Sequence, residues 1–476
     1  MEIVRSLIFF LVAIGVLVGF HEFGHFIVAR LCGVKVLRFS LGFGKVLFSH
    51  TGKDGCEYAL SLIPLGGYVK MLDRREGPVD EQDAAREFSG QSVWKRLAIV
   101  SAGPLFNIIL AFVLYYAMYL IGVAAVKPYV TAVEEQSISW NAGMRSNDLL
   151  LEVGQEPVQD WEDASYEFIQ QIGEKNVPVQ VKHENGRVAQ LTLDLSDWSI
   201  QRDQPGQLFE PLGFSPKFFE LTKRVGAVLE DSPAMKSGIR EGDEIYAVNN
   251  REVSDWMSFT RFIADHPGEE IELTVKRPEI PENDQKKTED SNSIGDRFFA
   301  GYPSKMMTFK VTLATAGSAE HPRGQIGISV MIDPLNHGER FIRQYGIFEA
   351  VPKSIQKMIS VCRLTVVTIG KLINGSIAAS NISGPIAIAK SAGITAGIGI
   401  EYFLGFMALI SINLGIMNLI PLPVLDGGHI MFYLIEAVCG RPLPDKVMQS
   451  LMYFGIFVLL LLTMLAVYND IVFDGF

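Results

Sequence analysis

The chain is poor in cysteine. Its four, Cys32, Cys56, Cys362 and Cys439, lie among 476 residues and form no C-x-x-C pair. Without that spacing there is neither a thiolate zinc motif nor a dithiol redox motif, so all four read as unpaired thiols. A basic segment is missing as well. The formal net charge is -11, and no Lys/Arg cluster interleaved with aromatics occurs, which excludes nucleic acid as a partner. No A-x-A-like cleavage pattern follows the apolar run at the N-terminus, so that run is expected to persist as a helix. Charged residues make up 20% of the chain and hydrophobic ones 48%, with a mean hydropathy of +0.22. Such a chain is too apolar in places to be wholly soluble and too long for one ordinary domain.

The apolarity is concentrated. Segments 1–30, with Leu7 to Phe20 uninterrupted, 97–123, 399–425 and 446–468 are each long enough to cross a ~30 Å hydrocarbon layer, which predicts four transmembrane helices. Between 340 and 398 no such run exists. There Ile355, Ile359, Cys362, Val366 and Ile369 recur at helical spacing opposite Lys357, Arg363 and Lys371, the pattern of an amphipathic helix lying on the membrane surface or packed beneath the pair of domains in the middle region rather than of a fifth crossing. Arg30, Lys35, Arg38 and Lys45 follow the first span and Arg86, Lys95 and Arg96 precede the second, whereas only Arg5 lies ahead of the first. By the positive-inside rule the loop 31–96 is cytoplasmic, and both termini and the long middle region are outside.

His21-Glu22-Phe23-Gly24-His25 closes the first span. At i and i+4 both histidines share one helix face and can direct a ring nitrogen at one ion, with Glu22 beside them to take a proton from water. Two imidazoles and a carboxylate are costly at bilayer depth, about 2.5 to 3.5 kcal/mol for each charged group on insertion scales, so they signal a metal site inside a bundle. A hydrolytic Zn²⁺ takes three protein ligands and keeps one position open, and Asp426, in Asn418-Leu419-Ile420-Pro421-Leu422-Pro423-Val424-Leu425-Asp426-Gly427, is the best third candidate, with His429 a rival. The first and third spans both run inward, so the histidines and Asp426 meet at one depth if Pro421 and Pro423 unwind the chain locally. Val36 to Phe48 and Tyr58 to Met71, rich in β-formers and broken by Gly42, Gly44, Gly66 and Gly67, predict a membrane-associated hairpin in the cytoplasmic loop; it serves either as an edge for an extended peptide or as a cover for the metal.

The middle region contains a duplication. Ala142-Gly143-Met144-Arg145-Ser146-Asn147-Asp148 is echoed by Ser237-Gly238-Ile239-Arg240-Glu241-Gly242-Asp243, and the match continues through Val153/Val248, Val158/Val253, Asp160/Asp255 and Trp161/Trp256 at an offset of 95 residues. Leu212-Gly213-Phe214 then pairs with Ile326-Gly327-Ile328 at an offset of 114, so the second copy carries 19 extra residues, assigned to a charged loop at about 278–303. Each copy, 127–216 and 217–332, resembles a PDZ domain of the bacterial type, a mainly β unit in which the glycine and aspartate serve turns.

The H-E-x-G-H span, Ser101-Ala102-Gly103-Pro104-Leu105-Phe106-Asn107, the paired PDZ-like units and N-x-x-P-x-P-x-L-D-G together resemble the site-2 protease family along essentially the whole chain. The resemblance implies a four-span α-helical membrane core with two tandem extracytoplasmic PDZ-like domains, located in a bacterial inner membrane, with the site near the cytoplasmic side. It assigns His21, His25 and Asp426 as Zn²⁺ ligands, Glu22 as catalytic base, and Asn418 and Pro423 as substrate-binding elements. It further implies cleavage of single-span membrane proteins, an anti-sigma factor in envelope-stress signalling among them, and clearance of remnant signal peptides. Two other classes compete: a PDZ-bearing scaffold, which has no use for Glu22, and a metal transporter, which would show inverted repeats.

Overall fold

The computed structural model describes residues 2–75, 77–200, 208–217, 220–281, 302–318, 321–333 and 339–474. Most of the charged loop expected at about 278–303 lies outside these residues. Two compact units result, 1–215 with 341–476, and 216–340.

Four helices of the first unit are long and apolar enough to span a membrane: Ile3–Leu31, Val93–Ile121, Ile400–Leu419 and Lys446–Val472. They fall within α1 (Glu2–Leu31), α2 (Val93–Ile121), and two later helices. α2 occupies the centre, burying Ile99, Ala102, Gly103, Asn107, Leu110, Ala111, Leu114 and Tyr115. Between α1 and α2 the chain forms β1 (Val36–Thr51) and β2 (Glu57–Met71). Both strands are bent by bulges, so that residues 36–41 pair with 67–71 on one side and 57–60 on the other, with 46–51 outside the latter. Gly42 and Gly44 have positive φ at one bend, and a Cβ on Gly42 would lie 2.8 Å from the Ser61 carbonyl, so only glycine fits. Phe43, Leu47, Phe48, Leu60, Leu62 and Ile63 leave this sheet largely exposed, an apolar patch suited to lipid.

The first repeat belongs to this unit. Its sheet runs Glu156–Pro157, Leu149–Val153, Val177–Lys182, Val188–Leu193, all antiparallel, and Val177, Val179 and Val181 are buried at every second position. Two helices complete it, α3 (Ile138–Ala142) and α4 (Trp161–Gln170). The second repeat forms the other unit, with the antiparallel order Ser304–Thr312, Glu270–Pro278, Glu244–Val248, Glu220–Val228, Ile328–Asp333 and helices α5 (Pro233–Ser237) and α6 (Trp256–Ala264). The duplicated residues do the same work in each. Ser137 and Ser232 cap α3 and α5, Gly143 and Gly238 end them with φ of 102° and 88°, and Asp160 and Asp255 cap α4 and α6. Asp148 and Asp243 each accept a turn N–H, from Arg145 and Arg240.

The 340–398 region divides in two, against the single amphipathic segment expected. α7 (Ile347–Ile373) is amphipathic and takes the second of the two expected placements, its cations facing the first repeat: Lys357 pairs with Glu162 and Asp163, Arg363 with Glu156, and Lys371 donates to the Ile172 carbonyl. α8 (Pro385–Ile398) is largely apolar, with Lys390 its one charged residue, and packs on α1, where Gly393 admits Ser6; at 14 residues it is short for a span. Asp470 accepts the Gly384, Ile386 and Ala387 N–H groups at 2.7, 2.9 and 3.2 Å and so caps α8 from the end of the last helix. The third span is α9 (Ile400–Leu419), ending earlier than the expected 425 because Pro421 and Pro423 cannot continue a helix. α10 (Asp426–Cys439) and α11 (Asp445–Asn469) follow.

Arg343, buried, bridges Asp160 at 2.9 Å and Asp163 at 2.7 Å. Burial, reinforced by the Asp163 carboxylate, pushes Asp160 up to about 6; burial acts on Asp163 in the same sense, but Lys357 and Arg343 outweigh it and hold Asp163 below its ordinary value. A carboxyl raised in the folded state contributes stability at low pH that is lost as pH climbs through about 6. Asn caps a helix as well as Asp does, so Asp160→Asn is expected to melt no lower than wild type at about pH 7.5, with the gap closing at about pH 5. Thermal melts at both pH values check this; a variant clearly weaker at the higher pH would show instead that the Asp160 ion pair is net stabilising.

Candidate metal centre

One helical turn of α1 carries His21, Glu22 and His25, and the two imidazoles meet edge to face with ring centroids 4.9 Å apart. Their Nε2 atoms are 3.2 Å from each other. Asp426 Oδ2 lies 3.1 Å from His21 Nε2 and 3.5 Å from His25 Nε2, with side-chain exposures of 12% for each histidine and 19% for the aspartate. Among the described residues this is the one group of three metal-capable side chains, all ligand atoms within 4.8 Å of one another. His429 stands in the next turn of α10 and is not part of it.

The donor set fits a divalent ion. His25 Nδ1 is 2.9 Å from the Ile99 carbonyl, so its proton sits there and Nε2 offers a lone pair. Asp426 Oδ2 is buried and has no hydrogen-bond partner. Lone pairs converging on one point without a proton between them repel unless a cation sits among them. Two neutral imidazoles and a carboxylate are a common zinc ligand set.

Neighbouring elements are shaped around these side chains. On α2, a Cβ at Gly103 would come within 2.3 Å of His25 Nε2 and 2.8 Å of His21 Cε1; at Gly24 on α1 it would meet the Ala102 carbonyl at 2.5 Å. The two helices therefore touch backbone to backbone beside the site. Asp426 opens α10 after the break at 420–425, and Gly427 and Gly428 let that turn press on the end of α9: a Cβ would stand 2.2 Å from the Ile420 carbonyl and 2.4 Å from the Leu422 carbonyl, respectively. Further along α10, Glu436 pairs with Arg96 of α2 at 2.6 Å, and the Arg96 guanidinium lies 4.8 Å over the Tyr433 ring. This fixes the helix of the third candidate ligand to the helix that cradles the first two candidates. Glu22 faces the sheet, since a Cβ on Gly67 of β2 would lie 2.9 Å from Glu22 Cγ.

Of the two residues assigned to substrate, Asn418 is half-buried in the last turn of α9. Pro423 lies beyond the helix and is buried against Gly428, with Gly455 of α11 beside its ring. Its direct contacts are thus with the chain itself. Among other histidines, His183 is not simply solvated: its Nδ1 is 2.7 Å from Asp148. Sequence reasoning missed a role for Asn107, which is fully buried with its amide nitrogen 3.2 Å from His21 Nδ1. The signal was a polar residue inside an apolar span, which rarely lacks a partner.

The model of peptidase family M50 matches residues 9–462. Protease RseP of Yersinia pestis is 39% identical over 471 residues, 99% of each chain. Regulator of sigma-E protease RseP of Escherichia coli K12 is 37% identical over 462 residues, 97% of each. Regulator of sigma E protease of Haemophilus influenzae is 39% identical over 474 residues, again 99% of each.

Gly103→Ala is expected to displace the imidazoles and strip most of the zinc from the purified protein, whereas Gly15→Ala on α1, with nothing within 4 Å of its added carbon, keeps it. Metal analysis of both variants beside wild type checks this.

Proposed function

This chain belongs to peptidase family M50 and is a zinc metalloprotease of the site-2 type with four helices able to span a membrane; on that premise we propose that it hydrolyses peptide bonds within the transmembrane segments of single-span proteins. The observation that carries the reading is the convergence of His21, His25 and Asp426 beside Glu22, from α1 and α10, in a bundle of membrane-spanning length.

His21, His25 and Asp426 hold the ion. Bound zinc supplies Lewis acidity for the scissile carbonyl and makes water nucleophilic at neutral pH. Glu22 accepts the proton of the attacking water and delivers it to the leaving amine nitrogen, so no covalent enzyme intermediate forms. A substrate helix hides its carbonyls in i to i-4 hydrogen bonds and must unwind locally, and the freed groups need partners where water is scarce. The edge of β2 at Gly67, adjacent to Glu22, supplies them by strand addition. Asn418, in the last turn of α9, binds substrate backbone, and Pro423 acts by holding the break that follows.

The charge pattern supports a cytoplasmic position for the 31–96 loop and the site, with both termini and the two repeats in the periplasm. The repeats act as PDZ-like domains that exclude substrates with a bulky outer domain. Two of the relatives carry the regulation of sigma-E in their names; an anti-sigma factor, trimmed on its outer side by another protease, is the substrate this supports, with remnant signal peptides a second group.

Glu22→Gln is expected to keep its zinc and lose cleavage of a model single-span substrate, while Asp426→Ala loses most of its zinc and His429→Ala does not. Metal analysis and gel assays of substrate cleavage in proteoliposomes read both; residual cleavage at the wild-type rate in the Glu22 variant would remove Glu22 as the base. Adding a folded domain to the outer end of that substrate is expected to block cleavage, and equal rates with and without it would end the filter reading.

A further inference from the structure

We propose that Asn107 is a positioning residue for the metal: its side-chain carbonyl accepts the Nδ1–H of His21 and so aims the Nε2 lone pair at the ion. The inference rests on the reading that His21, His25 and Asp426 are the ligands. It begins from proton bookkeeping. A neutral imidazole carries one proton, and a ring that lends Nε2 to an ion carries it on Nδ1.

For His25 the acceptor of that proton is the Ile99 carbonyl, 2.9 Å away. For His21 the group facing Nδ1 is the Asn107 amide at 3.2 Å. Asn107 has 0% exposure, so bulk water does not take its place. With the amide NH₂ turned to the ring, that N–H needs an unprotonated Nδ1, which puts the proton on Nε2 against the ion and leaves Asn107 Oδ1 buried without a partner. A half-turn of the amide exchanges its two ends at nearly constant shape, and then the ring N–H meets an acceptor. Only this arrangement is compatible with ligation through Nε2.

The anchor for Asn107 is rigid. Ser411 on α9 donates its hydroxyl to the Asn107 backbone carbonyl at 2.7 Å, both residues being fully buried. Gly415, one turn further along α9, lets that helix close on the same place: a Cβ there would stand 3.4 Å from Asn107 Cβ. The helix that leads to Asp426 is thus tied to the residue that orients His21, and a single position on α2 couples the two halves of the ligand set.

The test uses the full-length protein in detergent micelles and zinc as the probe, with affinity read by competition against a chelator. Loss of such an outer hydrogen bond weakens metal binding about 10- to 100-fold, the loss expected of Asn107→Leu. Asn107→Asp, whose carboxylate accepts the same N–H, is expected to bind within about threefold of wild type. Nitrogen-15 NMR of histidine-labelled, zinc-loaded protein is expected to show His21 protonated at Nδ1 in wild type, with that N–H resonance displaced in Asn107→Asp, and an undisplaced resonance overturns the proposal even if the leucine variant does not fold. Wild-type affinity in Asn107→Leu, no recovery in Asn107→Asp, or a His21 Nδ1 without a proton each overturns the proposal. If His21→Ala keeps its zinc, the ligand assignment has failed; if it loses zinc while Asn107→Leu does not, only the role of Asn107 has.

Discussion

Three lone pairs aimed at one point in an apolar bundle are the constraint around which this chain is organised. Nε2 of His21, Nε2 of His25 and Oδ2 of Asp426 lie 3.1 to 3.5 Å apart, and in low dielectric such an arrangement is unfavourable unless a cation offsets it. The surrounding structure works to keep them there. The Ile99 carbonyl takes the outer proton of His25. Arg96 and Glu436 hold α10 against α2 in a pair with 11% and 18% side-chain exposure. Losing one partner there leaves the other charge buried, so the pair matters more to the position of Asp426 than an exposed bridge would.

Close approach is the second requirement, and glycine meets it. Gly24 and Gly103 bring α1 and α2 together where the imidazoles sit, and Gly427 and Gly428 fold the start of α10 onto the end of α9. None of these four has positive φ. Their use is the missing Cβ, not backbone freedom, and each stands within one turn of a ligand on its own helix or faces one directly. Small residues that admit backbone contact are a general device of membrane helices, where association gains little from the hydrophobic effect. Here the same device determines how deep a side chain can sit.

How much of this was legible in the residues depended on the range of the interaction. His21, Glu22 and His25 are four residues apart on one helix, so periodicity alone put them together. Four spans were visible in hydropathy, and the repeat itself matched Asp160 with Asp255, which cap α4 and α6 through local hydrogen bonds. Asp426 needed a topology argument, since it is 401 positions from His25. The particular partners of α7 were not legible: its pattern suited a membrane surface or the underside of the repeats equally, and only the structure pairs Lys357 and Arg363 with Glu162, Asp163 and Glu156 some two hundred residues earlier. Nor was the split between α7 and α8, because the cap of α8 comes from Asp470 near the far end of the chain. An amphipathic pattern says which face is polar but not what covers it.

Substrate handling follows from the same accounting of buried polar groups. A scissile carbonyl can reach the metal only after leaving its own helix, and each freed N–H or C=O in a dry site costs free energy until something pairs with it. A strand edge is the least specific solution, because it satisfies backbone groups whatever the side chains are. The sheet of β1 and β2 combines the needed properties: Gly67 brings the edge of β2 against Glu22, and Phe43, Leu47, Phe48, Leu60 and Leu62 present an apolar surface beyond it. An exposed edge is ordinarily a liability for aggregation. Lipid beside that surface offers no competing hydrogen bonds, so on the proposed reading the chain that answers the edge would be a helix already prone to unwind, and selection among substrates would shift from sequence to the ease of opening a few turns.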